Sequence, residues 1–223
     1  MDRQRLAGIL LTVFFAGTDA TGSILSSMLW MIATDESGLQ DELAKEARDL
    51  GDINAAAFQE INSKLPKLKS AAYETQRIYS AFPFLMLKAA QQVAFDNTTL
   101  PSGTQFLVMT RYVSTNPISP PTGVPLGPKG EHHSEFCARR WLVDGGVQPP
   151  STKKGAFMVF GHGPRTCPGR DLAEIVTLVV ISLVLQKFEI SLAPGHATVH
   201  RKLSFAEVPD QDIHLILKPC KDV

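Results

Sequence analysis

Cysteine is scarce in this sequence, and its spacing excludes two common uses of the residue. Among 223 residues there are three cysteines, which are Cys137, Cys167 and Cys220. Their odd number and wide spacing fit neither a disulfide framework nor the paired Cys-x-x-Cys ligands of a zinc site. A few scattered thiols suit a reducing compartment.

An excess of charge of either sign is also absent. Lys plus Arg and Asp plus Glu both number 22, so the formal net charge at pH 7 is +0. A neutral chain gives no electrostatic reason to expect nucleic acid as a partner. With 44% hydrophobic and 20% charged residues, the composition is that of a globular protein, and the length suffices for one domain with a buried core.

Long apolar runs are present, and the first begins close to residue 1. Residues 4–33 are apolar almost all round and predict one long, largely buried helix. The basic start MDRQR, followed by LAGILLTVFFAG, is also typical of a signal peptide or membrane anchor. Against a membrane span, Asp19 lies in the middle of the segment among hydroxyl residues, and an acid at mid-bilayer costs about 3 kcal/mol.

The rest of the chain predicts a mainly α fold with small β-sheets. The predicted helices are a helix from Asp35 or Ser37 onward, a helix over residues 57–82 that is broken near Pro66, and an apolar helix over residues 171–188. Short strands are predicted after Phe84 and in the segments 189–195 and 212–219. Residues 116–135 are rich in proline and glycine and predict a loop.

Residues 160–169, FGHGPRTCPG, surround Cys167 with residues that a cysteine buried for packing does not need. The glycines allow tight turns and close approach to a flat ligand. Pro168 suits the first position of the following helix, which would place Cys167 at the helix N-terminus, where free N–H groups stabilise a thiolate. Arg165 can bind a carboxylate. Together these residues suit a haem ligated by sulfur, and the alternative is a buried free cysteine beside a surface arginine.

This segment is similar to the haem-binding signature of the cytochrome P450 family, the haem-thiolate monooxygenases. Phe160, Gly163, Arg165, Cys167 and Gly169 occupy every defined position of the signature Phe-x-x-Gly-x-Arg-x-Cys-x-Gly. The resemblance implies haem b, iron protoporphyrin IX, as the cofactor. It also implies that Cys167 is the ligand of the iron and that Arg165 binds a haem propionate.

Two segments upstream of the cysteine resemble the same family. Glu74 and Arg77 have the spacing E-x-x-R on a predicted helix, which alone would be a common surface ion pair. Residues 136–141, FCARRW, are similar to the family's Phe-x-Pro-x-Arg-Trp segment, with Ala138 at the usual proline. The resemblance implies that Glu74, Arg77 and Arg140 form a charged triad that locks the region around the cysteine loop.

Residues 16–22, AGTDATG, are similar to the oxygen-binding segment of the family's central helix. In that reading, Ala16 and Gly17 let the helix approach the haem and leave a groove for dioxygen. Asp19 would then take part in proton delivery, a role that an acid in an apolar helix also suggests on physical grounds. The alternative is that Asp19 caps a kink in the helix.

The oxygen-binding segment departs from the family pattern at one position. Ala20 stands where a hydroxyl residue usually follows the acid, and Thr21 comes one position later. One residue turns a side chain by about 100° round a helix, so Thr21 does not simply replace the missing hydroxyl. Asp19 and Thr21 are the candidate catalytic residues.

The order and spacing of these motifs fit the C-terminal half of the family fold, from the oxygen-binding helix through the haem-binding loop to the C-terminal strands. Residues 1–223 are therefore expected to be a partial domain without the family's N-terminal half, and the apolar start is better explained as a core helix than as a signal peptide.

The resemblance implies a monooxygenase that uses dioxygen and electrons from an NADPH-dependent reductase or another donor. Its substrate would be an apolar small molecule, in a pocket lined partly by residues 82–87. A basic face for such a donor is predicted from Lys153, Lys154, Arg165 and Arg170.

Other functions stay open on the sequence. The chain by itself is expected to be inactive or incomplete as an enzyme. One alternative is a haem-thiolate enzyme that uses peroxide or a hydroperoxide, for which Ala20 matters less. Others are a non-catalytic haem-binding fragment and, more remotely, a signal-anchored interaction protein. The cellular location is unknown, although an N-terminal segment outside this sequence could anchor a full-length parent to a membrane, facing the cytosol.

Overall fold

The computed structural model describes residues 2–53, 55–116, 123–150, 157–195, 198–204 and 206–220. Its helices are α1 (Arg3–Thr34), α2 (Leu39–Leu50), α3 (Phe58–Lys64), α4 (Pro66–Ile78), α5 (Thr110–Thr115) and α6 (Arg170–Lys187). Its strands are β1 (Leu85–Lys88), β2 (Val93–Phe95), β3 (Thr98–Leu100), β4 (Gln105–Val108), β5 (Leu142–Val143), β6 (Gly146–Val147), β7 (Phe188–Leu192), β8 (Arg201–Leu203), β9 (Glu207–Pro209) and β10 (Leu215–Pro219). The predicted mainly α fold with small sheets is confirmed.

The described strands form small antiparallel pairs. They pair as β1 with β4, β2 with β3, β5 with β6, β7 with β10, and β8 with β9. In the last sheet of the chain Phe188 lies opposite Pro219, which brings the two predicted tail strands together. The hairpins β5–β6 and β8–β9 and the short helix α5 were not predicted, because two or three residues are too few to show a period.

The break between α3 and α4 falls at Leu65, as the sequence predicts. Pro66 is the first residue of α4, where its missing N–H costs nothing. The carboxylate of Glu46 on α2 accepts the next two N–H groups, from Lys67 at 2.9 Å and from Leu68 at 2.8 Å. The helix therefore resumes at Pro66, slightly before the predicted position.

The second half of α1 is buried, whereas the first half is exposed. The buried side chains of α1 are Ser23, Ile24, Ser27, Met28 and Ile32. Upstream of them, Phe14 is 73% exposed and Leu11 is 69% exposed. The prediction of a largely buried helix is wrong for this half, because the described residues do not cover it.

Length and composition would also allow α1 to cross a membrane. Its most apolar 18-residue window has a mean hydropathy of 1.5, and 11% of that window is buried. Core helices of soluble proteins, which are mostly buried, and signal sequences share this length and composition. The composition of α1 therefore does not distinguish these alternatives.

The main core lies where α2, α4 and α6 meet the second half of α1. Met28 of α1, Leu43 of α2 and Leu68 of α4 belong to the same apolar cluster as Ile181 and Leu185 of α6. Burying a side chain of this size contributes about 1.5–3 kcal/mol. The core thus holds together the helices that carry the predicted site residues.

Two leucines of α6 allow a direct test of this packing. Leu185 is 0% exposed and Leu172 is 65% exposed. We expect Leu185→Ala to lower the free energy of unfolding by about 2–5 kcal/mol, because it leaves a cavity in the core. The matched control Leu172→Ala should change it by about 0.5 kcal/mol or less. Urea unfolding followed by circular dichroism measures both, and equal effects would contradict the assigned core.

Candidate functional site

Cys167 lies on an exposed loop immediately before α6. Its backbone N–H donates to the carbonyl oxygen of Phe160 at 2.8 Å, which closes the loop on itself. Inside it, Gly163 accepts hydrogen bonds from the N–H of Thr166 at 3.0 Å and from its hydroxyl at 2.8 Å. Cys167 is thus exposed to solvent, on a loop whose backbone is fixed by hydrogen bonds between its own residues.

Two glycines make the shape of this loop possible. Gly161 and Gly163 both have φ of 73°, in the left-handed region that other residues adopt only with strain. Gly169 has an ordinary φ of −94°, but a Cβ atom at this position would lie 3.9 Å from Cys167 Sγ. The glycines at 161 and 163 therefore serve the backbone, and the glycine at 169 leaves space beside the thiol.

The start of α6 differs from the sequence prediction. Gly169 is the residue before the helix, and the first helical residue is Arg170, so Pro168 lies in the preceding turn. The N–H of Ala173 donates to the carbonyl of Gly169 at 2.9 Å, which fixes this starting point. Cys167 therefore precedes the helix by three residues and does not lie in its first turn.

Glu74, Arg77 and Arg140 meet in the interior, and their side chains are 0% exposed. Arg77 contacts the carboxylate of Glu74 through Nη2 at 2.7 Å and through Nε at 2.9 Å. Arg140 donates its Nε–H to the same carboxylate at 2.9 Å. The structure thus brings Arg140 to the Glu74–Arg77 pair of α4, although 66 positions of the sequence separate Arg140 from Glu74.

Glu74 accepts two further hydrogen bonds from the FCARRW segment. The N–H of Cys137 donates at 2.9 Å and the indole Nε1–H of Trp141 at 3.2 Å. The remaining N–H groups of the two arginines donate to the carbonyl oxygen of Ser114 on α5 and to carbonyl oxygens of the preceding loop, among them those of Glu131, His132 and Glu135. These dipoles solvate the extra positive charge and attach the loop to α4.

Three aromatic rings connect this charge network to the cysteine loop. Tyr73, Trp141 and Phe157 pack edge to face, with ring centroids 5.8–6.5 Å apart. Burial raises the pKa of Tyr73, so its hydroxyl stays protonated and donates to Glu174 Oε2 of α6 at 3.4 Å. Phe157 begins the stretch that leads to Phe160 and the loop. The sequence did not predict this cluster, because its members share no motif or period.

The neighbouring Arg139 makes a second attachment that the sequence motif did not indicate. Its guanidinium forms two hydrogen bonds with the carboxylate of Glu42 on α2, at 2.7 and 3.2 Å. The adjacent Arg140 binds Glu74 on α4. Consecutive arginines therefore anchor one segment to two helices, and only Arg140 belonged to a motif.

Residues 16–22, which resemble the family's oxygen-binding segment, lie on an uninterrupted stretch of α1. Asp19 and Thr21 are half-buried, and their side chains form no hydrogen bond or ion pair with other described residues. A Cβ atom at Gly17 would meet nothing within 4 Å. The segment is thus open on its glycine side, and the helix is not interrupted at Asp19.

The structure describes two of the four residues of the predicted basic face, Arg165 and Arg170. Arg165 is exposed, whereas Arg170 is paired with Glu174 at 3.1 Å. Lys153 and Lys154 lie outside the described residues. The described part therefore contributes one unpaired cation to the face, at Arg165.

The chemistry of these residues suits a flat apolar group with carboxylate substituents. The Cys167 thiol and Arg165 are both exposed on the same loop, and Leu172 on the following helix is 65% exposed. A soft sulfur ligand, a cation for a carboxylate and an apolar neighbour are the contacts that a haem requires.

The charge network predicts a large effect of removing its one carboxylate. We expect Glu74→Gln to lower the free energy of unfolding by about 3–5 kcal/mol, because two buried guanidinium groups lose their counter-charge. Glu189→Gln is the control, since Glu189 pairs with Lys218 at 3.4 Å on the surface and should cost no more than about 1 kcal/mol. Chemical denaturation measures both, and a Glu74→Gln protein as stable as the control would contradict the network.

Comparison with known proteins agrees with this arrangement. The sterol 26-hydroxylase, mitochondrial, of Mus musculus is 26% identical over 217 residues, which are 96% of this chain and 39% of the relative. Cytochrome P450 10 of Lymnaea stagnalis is 27% identical over an aligned length of 224, which covers 98% of this chain and 38% of the relative. The chain thus spans about two fifths of the length of these relatives.

The fold is also that of solved cytochrome P450 structures. A crystal structure of a cytochrome P450 matches 99% of this chain with a TM-score of 0.78 and 19% identity, and the match covers 46% of that protein. The haem domain of cytochrome P450DA matches 94% of this chain with a TM-score of 0.76. The family model of cytochrome P450 matches residues 1–212. The chain belongs to the cytochrome P450 family, as its resemblance to the C-terminal half of that fold predicted.

Proposed function

We propose that this chain forms the haem-binding part of a monooxygenase, with Cys167 as the thiolate ligand of the iron. The observation that carries the proposal is the loop itself. Cys167 is exposed and follows two glycines with positive φ, and its backbone is fixed to Phe160. A cysteine retained for packing would be buried, as Cys137 is.

The residues around Cys167 supply the remaining contacts of the proposed site. The guanidinium of Arg165 is exposed and can bind a propionate with two parallel hydrogen bonds. Gly163 lets the chain turn next to the porphyrin, and Gly169 leaves room beside the thiol. Phe160 is half-buried, and its carbonyl oxygen accepts the hydrogen bond from the N–H of Cys167.

The rigidity of this loop is proposed to come from the triad. Glu74, Arg77 and Arg140 hold the FCARRW segment, and the aromatic cluster joins that segment to Phe157 and to α6. Residues packed behind a metal ligand fix its orientation and limit the access of water to the metal–ligand bond. The triad thus has a structural role and takes no part in the chemistry.

By resemblance to the family, α1 and β1 would form the opposite side of the proposed pocket. When bound, haem would supply the activation of dioxygen: with two electrons from the donor and two protons, one oxygen atom would enter an apolar C–H or C=C bond and the other would leave as water. Ala16 and Gly17 would leave space for dioxygen, and the Asp19 carboxyl would hold or pass a proton. Met86 and Leu87 in the segment 82–87 are exposed apolar side chains that suit an apolar substrate.

Substrate and electron donor are proposed only as chemical classes. Several relatives are named as sterol hydroxylases or vitamin D hydroxylases, and apolar substrates of this kind fit the exposed apolar side chains of α1 and β1. An NADPH-dependent reductase or another donor with an acidic surface would meet the side of the chain that exposes Arg165.

The thiolate ligand predicts a specific optical signature. Haem-loaded protein, reduced and treated with CO, should show a Soret band shifted far to the red, and Cys167→Ser should lose the shift. Cys220→Ser is the matched control, because Cys220 is half-buried and remote in sequence, and it should keep the spectrum. Haem-containing protein without the shift, or a Cys167→Ser protein that retains it, would overturn the ligand assignment.

A second candidate function is oxidation driven by peroxide. The observation that favours it is Ala20 on α1, at the position where a hydroxyl group would help proton delivery. Hydrogen peroxide already carries both protons and both electrons, so that one of its oxygen atoms enters the substrate and the other leaves as water. Proton delivery by α1 then matters less.

Substitution at residue 20 tests the role of this position in proton delivery. In a full-length version that contains this chain, with a P450 reductase, NADPH and styrene as an apolar probe, Ala20→Thr should raise the product formed per NADPH by about tenfold or more, because a positioned hydroxyl restores proton transfer. The rate with hydrogen peroxide and styrene should change by less than about twofold. An NADPH-driven yield unchanged by Ala20→Thr would contradict the role assigned to this position.

A further inference from the structure

A largely buried polar cluster joins three parts of the chain away from the cysteine loop. It consists of Arg201 and Glu207 on the hairpin β8–β9, Ser23 and Ser27 on α1, and Arg111 on α5. The side chains of Arg201 and Glu207 are 10% and 11% exposed. No motif in the sequence includes this cluster, and the proposed chemistry does not use it.

Arg201 bridges from the hairpin to α1. Its Nη1 donates to the hydroxyl of Ser27 at 2.8 Å, and its Nη2 donates to the hydroxyl of Ser23 at 3.0 Å. Ser23 and Ser27 are four residues apart and lie on one face of the helix. Asp19 precedes Ser23 by four residues and lies on the same face. Arg201 therefore holds the face of α1 that carries the candidate proton donor, one turn away from it.

Glu207 connects the same bridge to the segment that is expected to line the substrate pocket. Its carbonyl oxygen accepts a hydrogen bond from Arg201 at 2.9 Å, and its N–H donates to the carbonyl oxygen of Ala81 at 2.7 Å. Its carboxylate contacts the guanidinium of Arg111, whose backbone N–H donates to the carbonyl oxygen of Pro83 at 3.2 Å. The cluster therefore spans from α1 to residues 81–83.

The guanidinium of Arg201 is held in place by rings as well as by hydrogen bonds. It lies 5.3 Å from the ring centroid of Tyr79, which in turn packs edge to face with Trp30 at 5.9 Å. Burial, together with the charge of Arg111, lowers the pKa of Arg201 to about 10, so the group stays charged at neutral pH. An apolar side chain could fill such a place without burying a charge, which points to a role for the directed hydrogen bonds.

We propose that Arg201 is a positioning residue that sets the separation between the Asp19-bearing face of α1 and residues 81–83. The bridge itself rests only on the contacts described above. Its consequence for the active site rests on the proposed function, in which these two segments are walls of one pocket. Arg201 acts through Ser23 and Glu207 and does not touch substrate or haem.

Hydrogen exchange of the haem-free chain tests the bridge itself. Arg201→Gln should raise the exchange rates of amides in residues 19–27 and 79–83 by about tenfold, the effect expected from losing charge-assisted hydrogen bonds. Lys202→Gln is the control, because Lys202 is the next residue on the same strand, is exposed and also loses one positive charge. Faster exchange confined to the hairpin, residues 198–209, would overturn the proposal, since Arg201 would then stabilise only its own hairpin.

Two further variants separate the bridging geometry from charge and from misfolding. Arg201→Lys keeps the charge but places one ammonium where two serine hydroxyls were bound, so it should raise exchange on α1 as Arg201→Gln does. The double variant Ser23→Ala and Ser27→Ala leaves the cation in place and should do the same. Wild-type exchange in either variant would overturn the two-serine bridge.

Binding of imidazole to the haem-loaded chain tests the consequence for the pocket. Imidazole would reach the iron from the side of α1 and residues 82–87, so Arg201→Gln should change its dissociation constant by about fivefold or more, with the reduced CO spectrum unchanged. Lys202→Gln should leave the constant within about twofold. An unchanged dissociation constant in Arg201→Gln would overturn the effect on the pocket. If the wild-type chain shows no haem spectrum, the proposed function is wrong, and the hydrogen-exchange result alone tests the bridge.

Discussion

The pairing of the Glu74 carboxylate with Arg77 and Arg140 is the interaction on which the rest of the structure depends. It lies between the guanidinium groups of Arg77 and Arg140, at 2.7–2.9 Å, with all three side chains 0% exposed. Because charges in the interior are tolerated only when they are paired and hydrogen-bonded, this one group determines where α4 and the FCARRW segment can lie. Trp141 then packs on Tyr73 and Phe157, and through them the network reaches the loop of Cys167.

The two sides of the proposed site have different support within this chain. The cysteine side is backed by the charge network, the aromatic cluster and the core of α6. On the α1 side, the polar bridge from Arg201 holds residues 23–27, while the apolar residues before Ala16 remain exposed. The chain spans about two fifths of its curated relatives, and the more complete side is the one that carries the proposed metal ligand.

Local patterns in the sequence predicted much of the fold and the position of the cysteine loop. The helix break at Pro66, the long helix α1 and the tail strands follow from backbone chemistry and hydrophobic period. The exposure of the first half of α1 was not predictable, since burial depends on what packs against a helix. The sequence also did not predict the Tyr73 cluster or the Arg201 bridge, because the residues that contact each other there are distant in sequence. Pro168 lies outside α6 because the chain turns at Gly169 before the helix begins at Arg170. The hydrophobic period of the sequence does not show where such a turn ends.

The central claim is that the sulfur of Cys167 binds the iron of a haem. Iron-edge X-ray absorption of the ferric haem-loaded chain tests it most directly, since it identifies the atoms in the coordination shell. We predict one sulfur neighbour in the wild-type chain and in Cys220→Ser, and its loss in Cys167→Ser. A coordination shell of nitrogen and oxygen alone in the wild-type chain, or a sulfur that persists in Cys167→Ser, would contradict the claim.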